Sequence, residues 1–261
     1  MIDVQIDQLY AWITGLLWPM FRIGGLVMLA PVLGESTVPI RIKVGVSVAL
    51  TVVIAPLIGP IPAIPPGSYA GLLIAAQQVL IGMALGFCMR LIFTAAMMAG
   101  EFVGLPMGLA FASFFDPATG ANTAVLSRLI NIVAMLLFLA VNGHLLMLDG
   151  LVRTFEILPI GASLHADGWG ALIDWSGQIW ISSILLALPI LIVLQTINLS
   201  LGILNRTAQQ LSVFAVGFPI TLTTGLIMLA IVLPRSSEFL MKLFQDGYQT
   251  MARIARGLAG L

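Results

Sequence analysis

Charge is scarce in this chain. Only 8% of its 261 residues are Asp, Glu, Lys or Arg, where a soluble domain carries about 25%. The 11 basic residues balance the 11 acidic ones, which excludes an electrostatic footprint for nucleic acid. Cysteine occurs once, at Cys88, inside an apolar run; it cannot form an internal disulfide, and packing is its expected role. The two histidines are His144, in an Asn142-Gly143-His144 turn, and His165. They form no metal-ligand spacing with cysteine or carboxylates, so no metal and no cofactor is expected. Ser127 precedes His144 by about 17 residues, too far to share a helix position with it. No catalytic arrangement emerges, and a non-enzymatic role is expected. The N-terminus carries Asp3 and Asp7 instead of a basic n-region, so a cleaved signal peptide is not expected.

Apolar residues take the place of the missing charge. They make up 60% of the chain, and the mean hydropathy is +1.10. Composition alone predicts an integral membrane protein. A first span is expected over 9–31, with Arg22 near its middle. The basic loop 31–43, PVLGESTVPIRIK, is cytoplasmic by the positive-inside rule and places the N-terminus outside. Residues 44–89 carry no charge, and prolines 56, 60, 62, 65 and 66 divide that run into spans at 44–59 and 70–98. A span is expected over 124–148. An acidic extracytoplasmic loop follows over 149–174, with Asp149, Glu156, Asp167 and Asp174 against Arg153. The runs 175–205 and 207–234 form a helical hairpin with a basic tip at Arg206. The tail, 235–261, is amphipathic. The predicted fold is all-α, with about six long apolar helices in broken helices and hairpins.

The exception is 100–122, GEFVGLPMGLAFASFFDPATGAN. Gly100, Gly104, Gly108, Pro106, Pro117 and Gly120 interrupt it, and Glu101 and Asp116 add charge. Met107, Phe111, Phe114 and Phe115 keep it apolar. Irregular backbone at membrane depth must be buried in protein or line an aqueous cavity. The segment therefore reads as a plug or re-entrant loop, facing a pore, a partner or its own chain. Its phenylalanines serve either core packing or an apolar constriction that gates by dewetting. Arg22, Arg90 and Arg128 either pair with Glu101, Asp116 or a partner's carboxylate, or line a conducting path. Polar residues in the hairpin arms, among them Gln178, Ser182, Ser183, Gln195, Asn198 and Thr221, predict contacts with protein on several sides. A secondary transporter or channel with broken helices is the alternative class.

Three blocks carry a family resemblance: PVLGESTVPIRIKVG (31–45), GEFVGLPMGLAFASFFDPATG (100–120) and LLFLAVNGHLLMLDGLVRTFEILPIG (136–161). Together they resemble the FliR/SctT family, membrane components of the export gate in flagellar and virulence-type type III secretion. The flagellar branch fits better. The resemblance implies a structural subunit that joins FliP and FliQ in a helical, pore-forming complex of the bacterial inner membrane, within the flagellar basal body. FlhB and FlhA would lie nearby, and unfolded flagellar proteins would pass through. It implies a FliP-like part over 1–161 and a FliQ-like hairpin plus tail over 162–261. The family's plug falls at 106–122, and the tip at Arg206 becomes a candidate FlhB contact. An assembly lifted largely out of the bilayer would accommodate the polar hairpin and the basic tail.

Overall fold

A computed structural model describes residues 6–59, 61–62, 64–109, 125–207 and 213–261. Among them are seven α-helices and no strand. They are α1 (Ile6–Leu29), α2 (Ile40–Ile54), α3 (Tyr69–Gly104), α4 (Val125–Ala140), α5 (Gly143–Ile157), α6 (Asp167–Thr207) and α7 (Val213–Ala259). A 3-10 turn, Ala55–Leu57, extends α2. The all-α membrane class expected from composition holds. Among the described residues four helices are long and apolar enough to cross a membrane, and α4 with α5, bent by 68°, makes a fifth if the pair is one broken span. The first expected span corresponds to α1, apolar over Ile13–Leu29.

Three boundaries differ from expectation, each for a local reason. The run expected over 124–148 breaks at Asn142, whose φ of 56° is left-handed. Asparagine enters that region more readily than most residues, and the Asn142 carbonyl then accepts the amides of Leu145 and Leu146 to start α5. Most of the expected acidic loop is helical: α5 continues to Ile157, with Asp149 pairing with Arg153 one turn on at 2.9 Å, and α6 already begins at Asp167. The amphipathic tail is no separate element: α7 runs 47 residues through Pro219 and Pro234.

The chain divides into two units. Unit one comprises Met1–Leu91, Val141–Ser176 and Phe244–Leu261. Its centre is the crossing of α1 with α3, where Gly82 and Gly86 repeat at the small-xxx-small spacing of closely packed membrane helices. A Cβ on Gly82 would collide with the carbonyl oxygen of Arg22, and one on Gly86 would sit 2.6 Å from that of Leu26. Gly25 does the same from α1, 2.5 Å from the carbonyl oxygen of Val79. Trp18, Ile23, Leu26, Leu85 and Met89 fill the surrounding core. Elsewhere in this unit Trp175 Nε1 donates to the Cys88 carbonyl at 2.9 Å, and Tyr248 donates to that of Gly143 at 3.0 Å.

Unit two comprises Ile92–Ala140 and Gly177–Leu243. Gly100 lets α3 lie against the backbone of Ser127 on α4, 2.5 Å from a would-be Cβ. Phe93 and Phe138 meet edge-on at 5.4 Å between centroids. Ala187, Ile190, Leu194 and Leu229 carry the hairpin arms' share of the core.

Candidate functional site

The segment expected to form a plug leaves α3 within unit two, and it is described through Leu109. Leu105 N–H still bonds the Glu101 carbonyl, at 3.1 Å, but then the helix stops. Pro106 has no N–H to continue the ladder, and Gly108 takes φ 81°, which a residue with a side chain rarely adopts. Leu109 N–H folds back onto the Gly104 carbonyl at 3.2 Å, closing a compact turn.

Two carbonyls of this turn are reached by side chains of the hairpin arms. Asn198 Nδ2 on α6 donates to the Pro106 carbonyl at 3.2 Å. Thr221 Oγ1 on α7 lies 3.5 Å from the Met107 carbonyl, and also 3.1 Å from those of Gly217 and Phe218. One hydroxyl proton serves three acceptors, so Asn198 is the firmer of the two anchors. Met107 itself is fully buried. Its thioether packs on Gly225, where a Cβ would come within 2.5 Å of Sδ. The hairpin residues Asn198 and Thr221, singled out as polar in an apolar setting, are those that bond this turn.

Gly104, Pro106, Met107 and Gly108 belong to this turn. Phe111, Phe114, Phe115, Asp116, Pro117 and Gly120 lie outside the described residues. Glu101, Arg90, Arg128 and Arg206 are exposed. Arg206 sits in the last turn of α6, where a cation complements the helix dipole.

Among the described residues Arg22 is the buried charge, with no exposed surface. Its acceptors, all in unit one, are neutral. Nε donates to Gln78 Oε1 at 2.7 Å, Nη1 to the Thr154 carbonyl at 3.0 Å, and Nη2 to the Leu158 carbonyl at 2.9 Å. The Thr154 hydroxyl lies 3.3 Å from Nη1 and donates to the Leu151 carbonyl. The guanidinium also covers the Phe155 ring, 4.2 Å from its centroid. It thus caps the C-terminus of α5, where unfilled carbonyls and the negative end of the dipole both favour a cation. No carboxylate is among these partners. Gln78, Thr154 and Phe155 had escaped the sequence reading; the signal was Gln77-Gln78 in a charge-free apolar run.

A helical membrane protein, with a turn after α3 bonded by α6 and α7 and a buried, neutrally solvated arginine, is the class these features define. The sequence matches the bacterial export proteins, family 1, over residues 13–247. The flagellar biosynthetic protein FliR of Escherichia coli K12 is 43% identical over 255 residues, 97% of each chain. That of Pectobacterium carotovorum is 45% identical over 249 residues, 95% of each chain. The Bacillus subtilis FliR is 28% identical over 237 residues, covering 89% of this chain and 91% of that one. The chain belongs to family 1 of the bacterial export proteins.

Proposed function

We propose that the chain is a structural, pore-forming subunit of the flagellar export gate, and that the segment beginning at Gly104 is its plug. In this reading it joins FliP and FliQ in one hetero-oligomer of the bacterial inner membrane, with its N-terminus outside. Residues 1–161 take a FliP-like place and 162–261 a FliQ-like one. FlhB and FlhA stand at the cytoplasmic side, with Arg206 at the FlhB contact. Unfolded rod, hook and filament proteins pass outward, and the chain catalyses no reaction itself.

The anchoring of the plug's entrance by Asn198 and Thr221 is the observation that carries this reading. A backbone that leaves its helix inside an apolar protein, and is then held by side chains instead of by its own ladder, is suited to being released and re-held.

Native mass spectrometry of the chain, mildly extracted with its neighbouring membrane proteins co-expressed, tests the proposal. One copy of the chain in a discrete assembly with several small membrane subunits is expected. A folded monomer or homodimer, with no other subunit bound under the same conditions, would overturn it.

A further inference from the structure

We propose that a groove between the start of α6 and the end of α7 binds a phosphoethanolamine zwitterion. The groove has a volume of about 850 Å³ and lies wholly within unit one. Asp167 and Asp174 line one wall; Arg253 and Arg256 line the other, with Gln249 beside them. All five side chains are exposed. No ion pair within 4.0 Å joins either aspartate to either arginine, so both walls keep their charge for a guest.

The floor of the groove is built by backbone. A Cβ on Gly257 would lie 2.8 Å from the Gly168 nitrogen and 3.1 Å from the Asp167 carbonyl carbon, so here the two helices touch through glycine. His165 N–H bonds the Leu258 carbonyl at 3.0 Å and ties the preceding loop to α7. At the end of α7, Gly260 turns at φ 76°. Its amide bonds the Gly257 carbonyl at 3.3 Å, and the Leu261 amide bonds that of Arg256 at 3.0 Å. This is a Schellman closure, and it fixes Leu261 on the groove's wall. The groove is therefore formed before a ligand arrives, which lowers the ordering cost of binding.

Charge selects the class of ligand. The two walls cancel, so a simple anion meets repulsion from the aspartates and a simple cation from the arginines. A zwitterion meets neither. Arg253 and Arg256 stand one helical turn apart, on neighbouring positions of one face, where two guanidinium forks converge on a single phosphate. A primary ammonium has three donors for the carboxylates opposite. A quaternary choline has none, and a glycerol head group brings no positive charge. Phosphoethanolamine is thus favoured over both.

The test uses the full-length chain, extracted with its associated subunits, delipidated and offered phosphatidylethanolamine, phosphatidylcholine or phosphatidylglycerol. Retained lipid is read by native mass spectrometry. Phosphatidylethanolamine should be held about tenfold more strongly than the other two, the worth of a charge-assisted hydrogen bond. An R253Q/R256Q variant should lose it. A D167N/D174N variant, left with the arginines alone, should turn its preference to phosphatidylglycerol, a gain that misfolding does not produce. Equal retention of the three lipids by the parent chain would overturn the proposal. So would an unmoved preference in D167N/D174N, or cross-links showing another subunit seated in the groove. Excess water-soluble glycerophosphoethanolamine separates the sources: displacement of the lipid supports a free zwitterion as ligand, and persistence supports the membrane lipid.

Discussion

Asn198 on α6 and Pro106 in the plug's first turn are joined by a 3.2 Å hydrogen bond spanning 92 residues of sequence. Pro106 stands just past the end of α3, and the side chain that reaches its carbonyl comes from α6. If the segment from Gly104 is the proposed plug, movement of α6 and release of its entrance share this bond.

Replacing Asn198 by Leu and Thr221 by Val removes both donors while keeping side-chain bulk. Each change should cost about 1 kcal/mol, which shifts the balance between held and released entrance roughly fivefold per bond. Ion leakage through the assembled complex in vesicles should rise, with the Asn198 change giving the larger share. An intact assembly with unaltered leakage in the double variant would dismiss the anchoring role.

Arg22→Lys keeps the charge but loses the planar fork that reaches Gln78, Thr154 and Leu158 together. About 1–3 kcal/mol of stability should be lost with the unfilled acceptors. Arg22→Ala also leaves a hole beside Phe155 and should lose about 3–5 kcal/mol. The midpoint of thermal unfolding in detergent should fall in that order. If Arg22→Ala melts with the parent, the cluster has no structural role.

Gly82→Ala and Gly45→Ala make a matched pair. At Gly82 a methyl group meets the Arg22 backbone, which cannot swing aside as a side chain would. The α1–α3 crossing should open at a cost of about 1–3 kcal/mol. At Gly45, on α2, no atom lies within 4 Å of the new methyl, and the lost flexibility of the unfolded chain should stabilise by about 0.4–1 kcal/mol. Opposite signs in the same unfolding assay are expected. Equal effects would mean that the crossing is looser than described.

Cys88 is the chain's single cysteine. It has no exposed surface, and its Sγ lies 3.7 Å from the Gly247 carbonyl. Maleimide should leave it unmodified in the folded protein and modify it fully after denaturation, because access requires opening of the core. Rapid labelling of the native chain would show that α3 and the end of α7 do not pack as they are drawn here.

The long charge-free runs made α3, α6 and α7 readable, since length and apolarity alone specify a spanning helix. The plug's start was readable too, because Gly104, Pro106 and Gly108 each obstruct a helix in a known way. Asn198 and Thr221 stood out as polar residues in apolar arms, although their targets did not. What stayed hidden depends on tertiary neighbours. The Asn142-Gly143-His144 turn was legible, but not that it splits the expected span into two helices bent by 68°, and α5 persists through charges that mimic a loop. Arg22 suggested a carboxylate partner, since sequence gives no hint that a helix terminus 132 residues on can solvate a guanidinium with carbonyls.

The distance along the chain between Arg22 and its acceptors sets an order of events during synthesis. The first helix leaves the ribosome 136 residues ahead of Leu158, a delay of about 7–27 s at roughly 5–20 residues per second. Throughout that interval the guanidinium has no acceptor from α5. An arginine at the centre of a helix in lipid costs about 2.5–3.5 kcal/mol on insertion scales, so α1 alone has a weakened hold on the bilayer. It has to be kept near water, or held by the insertion machinery, until residues 143–158 emerge. Biogenesis of the chain is therefore timed by one side chain near its beginning, and a truncation ending before Thr154 should be cleared by the cell as an unfinished membrane protein.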